Sequence, residues 1–120
     1  MHIRKLLLCT LTLLATLGCN QPNGFDRIMN RADSIMEADQ DSAKKSLMIL
    51  DKMKPQLSEI SKAQRMRYNL LYAKAMNKGY VDFTSDSIMK DVTAYYDHHG
   101  SDNDKLMATY LLGCVYRDME

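Results

Sequence analysis

The chain has 120 residues with 16 basic and 15 acidic side chains, a formal charge of +1, which excludes the general pull toward nucleic acid or anionic membranes that a strongly basic chain has. Only one domain fits this length, and three cysteines, Cys9, Cys19 and Cys114, provide no disulfide framework to staple it. Ten methionines and no tryptophan are unusual, but the methionines scatter singly, which suits flexible core filling better than a copper site or a Met-rich groove.

Residues 1–18 read as an address, not as fold. His2, Arg4 and Lys5 precede the apolar run Leu6 to Leu17, and Gly18 stands directly before Cys19, the layout of a cleaved export signal. The run holds about a dozen residues, diluted by Thr10, Thr12 and Thr16, where a bilayer span needs roughly 20. Ala15-Thr16-Leu17-Gly18-Cys19 resembles the lipobox of bacterial lipoproteins, with Thr16 where that family prefers leucine. The resemblance implies cleavage before Cys19 and a diacylglyceryl group on its sulfur. It also implies a place in the cell envelope, lipid-anchored to a bacterial membrane and facing the periplasm. Acyl chains contribute about 0.8 kcal/mol per buried CH₂, so two or more hold a protein stably. Loss of Arg4 and Lys5 leaves 14 basic and 15 acidic residues, a mature formal charge of −1. Residues 19–24, Cys19 with Asn20-Gln21-Pro22-Asn23-Gly24, form the lipidated cysteine and a polar, turn-rich leash.

Residues 25–120 read as one helical domain. Phe25, Ile28, Met29, Ala32, Ile35 and Met36 fall on one stripe and predict a helix over 25–37. Asp39 or Asp41 offers the next N-cap, with Ala43, Leu47, Leu50 and Met53 as the apolar face and Pro55 as the stop. Ser61 with Gln64 has the form of a capping box before a long run, Ala63 to Lys78, ended by Gly79. This third helix is apolar on much of its circumference and is expected to pack on two sides as the centre of the fold. Thr84 or Ser85 caps a fourth helix whose face is Ile88, Met89, Val92, Tyr95, Tyr96 and His99, closed by Gly100. Asp102 or Asp104 starts a fifth, Lys105 to Met119, apolar nearly all round. Five helices joined by short polar turns, with no strand-like alternation, predict an all-α array of antiparallel helix pairs.

Leu112-Gly113-Cys114-Val115-Tyr116 carries the Leu-Gly-x-x-Tyr of the first helix of a tetratricopeptide repeat. With Thr84-Ser85-Asp86-Ser87, Tyr95-Tyr96, His99-Gly100 and Tyr110 to Gly113, the segment from Thr84 to Tyr116 resembles the lipid-anchored tetratricopeptide-repeat proteins of Bacteroidota. Ala32 to Glu37 with Asp41-Ser42-Ala43 resembles that family's first hairpin, so nearly the whole mature chain is covered. The resemblance implies a right-handed α-solenoid and an interaction module for an unidentified protein or peptide. It also leaves open the sensory end of a longer signalling protein. Two departures stand out: Tyr72 occupies the glycine position of the third helix, and the repeats are offset by about 41 residues where a standard unit has 34. The fifth helix also lacks the polar face that caps a solenoid. An exposed apolar end, and self-association through it, are therefore expected.

No GxSxG, GxxxxGK[ST], HExxH, CxxC or GxGxxG occurs, so no catalytic residue, cofactor or metal ligand is assigned, and a small enzyme or metal-binding protein has no motif behind it. His98 and His99 are adjacent and point about 100° apart on a helix, which suits a last turn near the negative helix end better than a shared metal. Asp102-Asn103-Asp104 lacks the glycine and closing glutamate of a calcium loop and reads as a helix start. Cys114 is expected to be a small buried hydrophobe. The candidate site residues are then Cys19 for lipidation and Tyr68, Tyr72, Tyr95, Tyr96 and Tyr110 for a peptide groove, against the alternative that these tyrosines pack the core.

Overall fold

A computed structural model describes residues 22–120, so the signal and Cys19 lie outside the described residues. Among the described residues there are five α-helices and no strand: α1 (Pro22–Met36), α2 (Gln40–Met53), α3 (Lys62–Lys78), α4 (Ser87–Tyr96) and α5 (Asp102–Asp118). A 3-10 helix, Lys54–Glu59, joins α2 to α3.

Capping chemistry sets most of the boundaries. α1 begins at Pro22, so Pro22, Asn23 and Gly24 form its first turn and not the end of a leash; a proline fits there because its missing N–H would have no helical partner anyway. Asp39, and not Asp41, caps α2, its carboxylate accepting the Ser42 N–H at 2.7 Å. Pro55 stops the α-helix as expected but starts the tighter 3-10 turn, because its fixed φ suits a first turn. The expected capping box closes α3: Ser61 Oγ accepts the Gln64 N–H at 3.2 Å and Gln64 Oε1 accepts the Ser61 N–H at 3.0 Å.

Two boundaries differ from the sequence reading. At α4 the N-cap position is Asp86, not Thr84 or Ser85, and its side chain makes no cap bond; Ser85 Oγ accepts the Ser87 N–H at 3.3 Å just outside it, and the helix stops at Tyr96. His98 and His99 therefore lie in the turn beyond α4, and His99 is exposed, not part of an apolar face. At α5 the cap is Ser101, and Asp104 closes a reciprocal box by accepting the Ser101 N–H at 3.1 Å. Gly100 between them holds φ +74, with the Tyr96 ring 2.9 Å from where a Cβ would sit, so both conformation and space require glycine.

Each helix packs on the next, and α3 also packs on α1 and α5, so α1, α3 and α5 form one layer and α2 and α4 the other. This sequential packing is consistent with a helical-repeat arrangement. α3 is the centre, as its wide apolar surface predicts. Tyr68, Leu71 and Ala75 enter a first core with Phe25, Met29, Ala32, Met36, Ala43, Leu50, Met53 and Ile60. Leu70 and Ala73 enter a second with Phe83, Met89, Val92, Tyr96, Ala108, Leu111, Cys114 and Val115. Cys114 is buried, as expected.

Two face assignments change. On α2, Ser46 is fully buried while Leu47 is only half-buried, because Ala32, Ala43 and Ser46 bring α1 and α2 so close that Ser46 Oγ donates to the Ala32 carbonyl at 2.7 Å. On α4, Ile88 is exposed, since only Met89, Val92 and Tyr96 reach the second core. On α5, Ala108, Leu111, Cys114 and Val115 are buried, and Leu106, Tyr110 and Tyr116 are exposed, as is Met119 just beyond the helix.

Candidate functional site

The layer of odd-numbered helices encloses an open groove of about 950 Å³ lined by Met36, Glu37, Lys74, Asn77, Lys78, Tyr80, Tyr110, Arg117 and neighbouring residues. Its position follows from the stacking: α1, α3 and α5 lie side by side, and the side chains at their outer corners leave a trough. One wall is an ionic cluster. Lys74 keeps only 15% of its side chain exposed, and its Nζ reaches Asp33 Oδ1 at 2.8 Å and Glu37 Oε1 at 2.6 Å, while Lys78 Nζ reaches Glu37 Oε2 at 3.3 Å. Burial alone would pull the Lys74 ammonium down, but its bonds to Asp33 and Glu37 outweigh that and hold it above the ordinary lysine value. Those bonds from Lys74, and then Lys78, hold Glu37 below the ordinary carboxylate range, so the wall stays charged at neutral pH.

The other wall is tied by Asp118. Its Oδ2 accepts the Phe83 N–H at 3.1 Å and its Oδ1 takes Arg117 at 2.9 Å, so the end of α5 pins the loop that follows α3. The Phe83 bond, with Arg117 beside it, holds the Asp118 carboxyl down.

That loop presents the most unusual residue of the site. The Val81 N–H bonds Met76 O at 2.9 Å and the Tyr80 N–H bonds Asn77 O at 3.3 Å, the two bonds of a Schellman motif. The left-handed position of such a motif favours glycine, yet here Tyr80 occupies it, at φ +56, and Gly79 sits before it at φ −87. Space at Gly79 is tight instead, since a Cβ would meet Ala75 O at 3.1 Å and Lys44 Cγ at 3.4 Å as α2 passes. Tyr80 is 80% exposed, so its ring gains little packing in return for the strained backbone. Tyr80→Gly is expected to raise stability by about 1 kcal/mol, read as a higher urea midpoint at unchanged m-value.

The five tyrosines expected to line a groove divide between core and surface. Tyr68 is core: buried, with its hydroxyl donating to Leu50 O at 2.6 Å and its pKa pushed by burial up to about 12. Tyr96 is also buried and likewise pushed up to about 12. α3 and α4 turn both rings inward, and Tyr68 reaches the edge of a second groove. Tyr72 is half-buried at a second, smaller groove of about 350 Å³ beside Leu57, Met76, Ile88 and Met89. Its hydroxyl donates to Asp51 Oδ1 at 2.7 Å and Lys54 Nζ lies 5.0 Å from its ring centre. Tyr95 packs edge-on to Tyr96 at 5.1 Å and stacks on His99 at 4.2 Å. Tyr110 alone of the five borders the large groove, 57% exposed.

Sequence reasoning missed Tyr80, Lys74 and Lys78. The only signal for Tyr80 was its place after Gly79, which reads as an ordinary glycine stop. Among the described residues no three His, Cys, Asp or Glu side chains converge as metal ligands, and no helix is long and apolar enough to cross a membrane. The described residues thus form an all-α five-helix bundle, sequentially packed, with an open groove along one layer. No protein-family model, curated protein or solved structure matches the chain.

Proposed function

We propose that the chain is a lipid-tethered interaction module of the tetratricopeptide-repeat type, a right-handed stack of antiparallel helix pairs. In this reading it holds an extended segment of a partner protein between α1, α3 and α5 and has no catalysis of its own. The observation that carries it is Tyr80: backbone strain that displays an exposed ring at the mouth of a groove is the mark of a residue kept for contact outside the chain. The lining suits a peptide. Asn77 and the paired charges offer partners for main-chain amides, and Tyr80 and Tyr110 supply rigid amphipathic contact area at small entropic cost. The tether rests on the likeness of Ala15 to Cys19 to a lipobox, and the repeat type on Leu112 to Tyr116.

Each half has its own test. Cys19→Ala is expected to move the protein from the membrane to the soluble fraction, and a variant that stays membrane-bound would remove the tether. Peptides selected from a random library against the full chain are expected to lose about 10-fold or more in affinity on Tyr80→Ala. Ile88→Ala, in the smaller groove, serves as the control. Equal effects of the two substitutions would place the peptide site elsewhere.

A further inference from the structure

α5 lies at the edge of the stack, covered by α3 and α4 on one side only. Down the middle of its free side run Asp102, Leu106, Thr109, Tyr110, Gly113 and Arg117, all exposed. At helical spacing these positions form a single stripe. Gly113 at its centre is not explained by the described residues: a Cβ there would meet none of them within 4 Å, and glycine is a poor helix former. Leu106, about two turns earlier, projects with 69% of its surface exposed.

The stripe is complementary to itself when reversed. A second α5 laid antiparallel, with the two-fold axis between Thr109 and Tyr110, brings Leu106 over the second copy's Gly113. The same register sets Asp102 against the second copy's Arg117 and Thr109 against its Tyr110. Symmetry makes each contact twice, as an isologous interface requires. A leucine then enters the gap left by a missing side chain, and unlike charges close both ends. Arg117 can serve both partners, because Asp118 and Asn77 take its Nε and Nη2 and leave Nη1 open. The second copy would lie on the far side of α5 from α1 and α2, clear of the rest of the fold.

We propose that the protein forms a two-fold dimer by antiparallel pairing of α5 in this register, with Leu106 seated at the second copy's Gly113 and Asp102 paired with its Arg117. The inference stands apart from the groove reading: Tyr110 and Arg117 border both surfaces, but Asp102, Leu106 and Gly113 lie outside the groove.

Charge exchange tests it on the full chain in mild detergent, with tagged and untagged copies co-purified. Wild-type copies are expected to associate, and Asp102→Arg or Arg117→Asp to weaken association by about 10-fold or more, since each sets like charges together twice. Mixing the two single variants is expected to restore it, because the introduced arginine then meets the introduced aspartate while the native pair survives at the other end. A folding defect would not be repaired by mixing. Gly113→Leu, a better helix former that fills the gap, is expected to abolish association while leaving helicity intact. Wild-type copies that stay apart would overturn the proposal. So would association unchanged by the exchanges, which would come from the apolar N-terminal segment or the micelle, or a mixture that does not recover. Tyr80→Ala is expected to leave pairing unchanged, so the dimer and the peptide groove fail separately.

Discussion

Leu70→Ala and Leu71→Ala, adjacent in sequence, are each expected to lower stability by about 3 kcal/mol, the usual cost of emptying a buried leucine site, and to loosen opposite halves of the molecule. Both side chains are 5% exposed. A helix turns 100° per residue, so Leu71 enters the core shared with α1 and α2 while Leu70 enters the core shared with α4 and α5. The cavity left by Leu71→Ala borders residues such as Met29 and Leu50, and that left by Leu70→Ala borders residues such as Val92 and Leu111. Amide hydrogen exchange in the native state separates the two. Protection should fall in α1 and α2 for Leu71→Ala and in α4 and α5 for Leu70→Ala. A uniform loss in both variants would mean that α3 couples the halves into one cooperative unit, contrary to the two-core description.

Ser46→Leu is expected to destabilise by about 2–3 kcal/mol despite replacing a polar side chain with an apolar one in a core. Ser46, Ala32 and Ala43 have no exposed surface, and the 2.7 Å bond from Ser46 Oγ to Ala32 O fixes how near α1 lies to α2. A leucine has no room there unless the helices separate, which would also disturb Met29 and Leu50 on either side of the contact. Urea denaturation reads the loss directly, and a neutral or stabilising result would show that the α1–α2 contact is looser than this geometry implies.

The Ser46 result illustrates where periodicity stops. The stripe Ala43, Leu47, Leu50 and Met53 was legible because apolar residues recur at helical spacing, but the buried line is Ala43, Ser46, Leu50 and Met53. A small hydroxyl that bonds a neighbouring carbonyl can be buried at little cost, and nothing in the linear pattern distinguishes it from a surface serine. Ile88 is the opposite case: it continues an apolar stripe, but it borders the open smaller groove beside Tyr72 and Met76 and stays exposed. The tyrosines divide for the same reason. Tyr68 and Tyr96 fall on turns of α3 and α4 that face other helices, whereas Tyr110 falls on the one side of α5 that nothing covers.

By itself the sequence determined what depends on neighbours along the chain. These are the order of the described helices, the capping box at Ser61, the stop at Pro55 and the two-sided burial of α3. Each follows from hydrogen bonds and side-chain spacing within a few residues. Only the tertiary structure decided what depends on how closely separate helices approach. It buried Ser46, and it crowded Gly79 against Ala75 O and Lys44 while leaving the left-handed turn to Tyr80. It also gathered Glu37, Lys74, Lys78 and Arg117 from α3, α5 and the end of α1 around one groove. Those relations arise between helices that pack side by side, and local periodicity has no knowledge of distance between them.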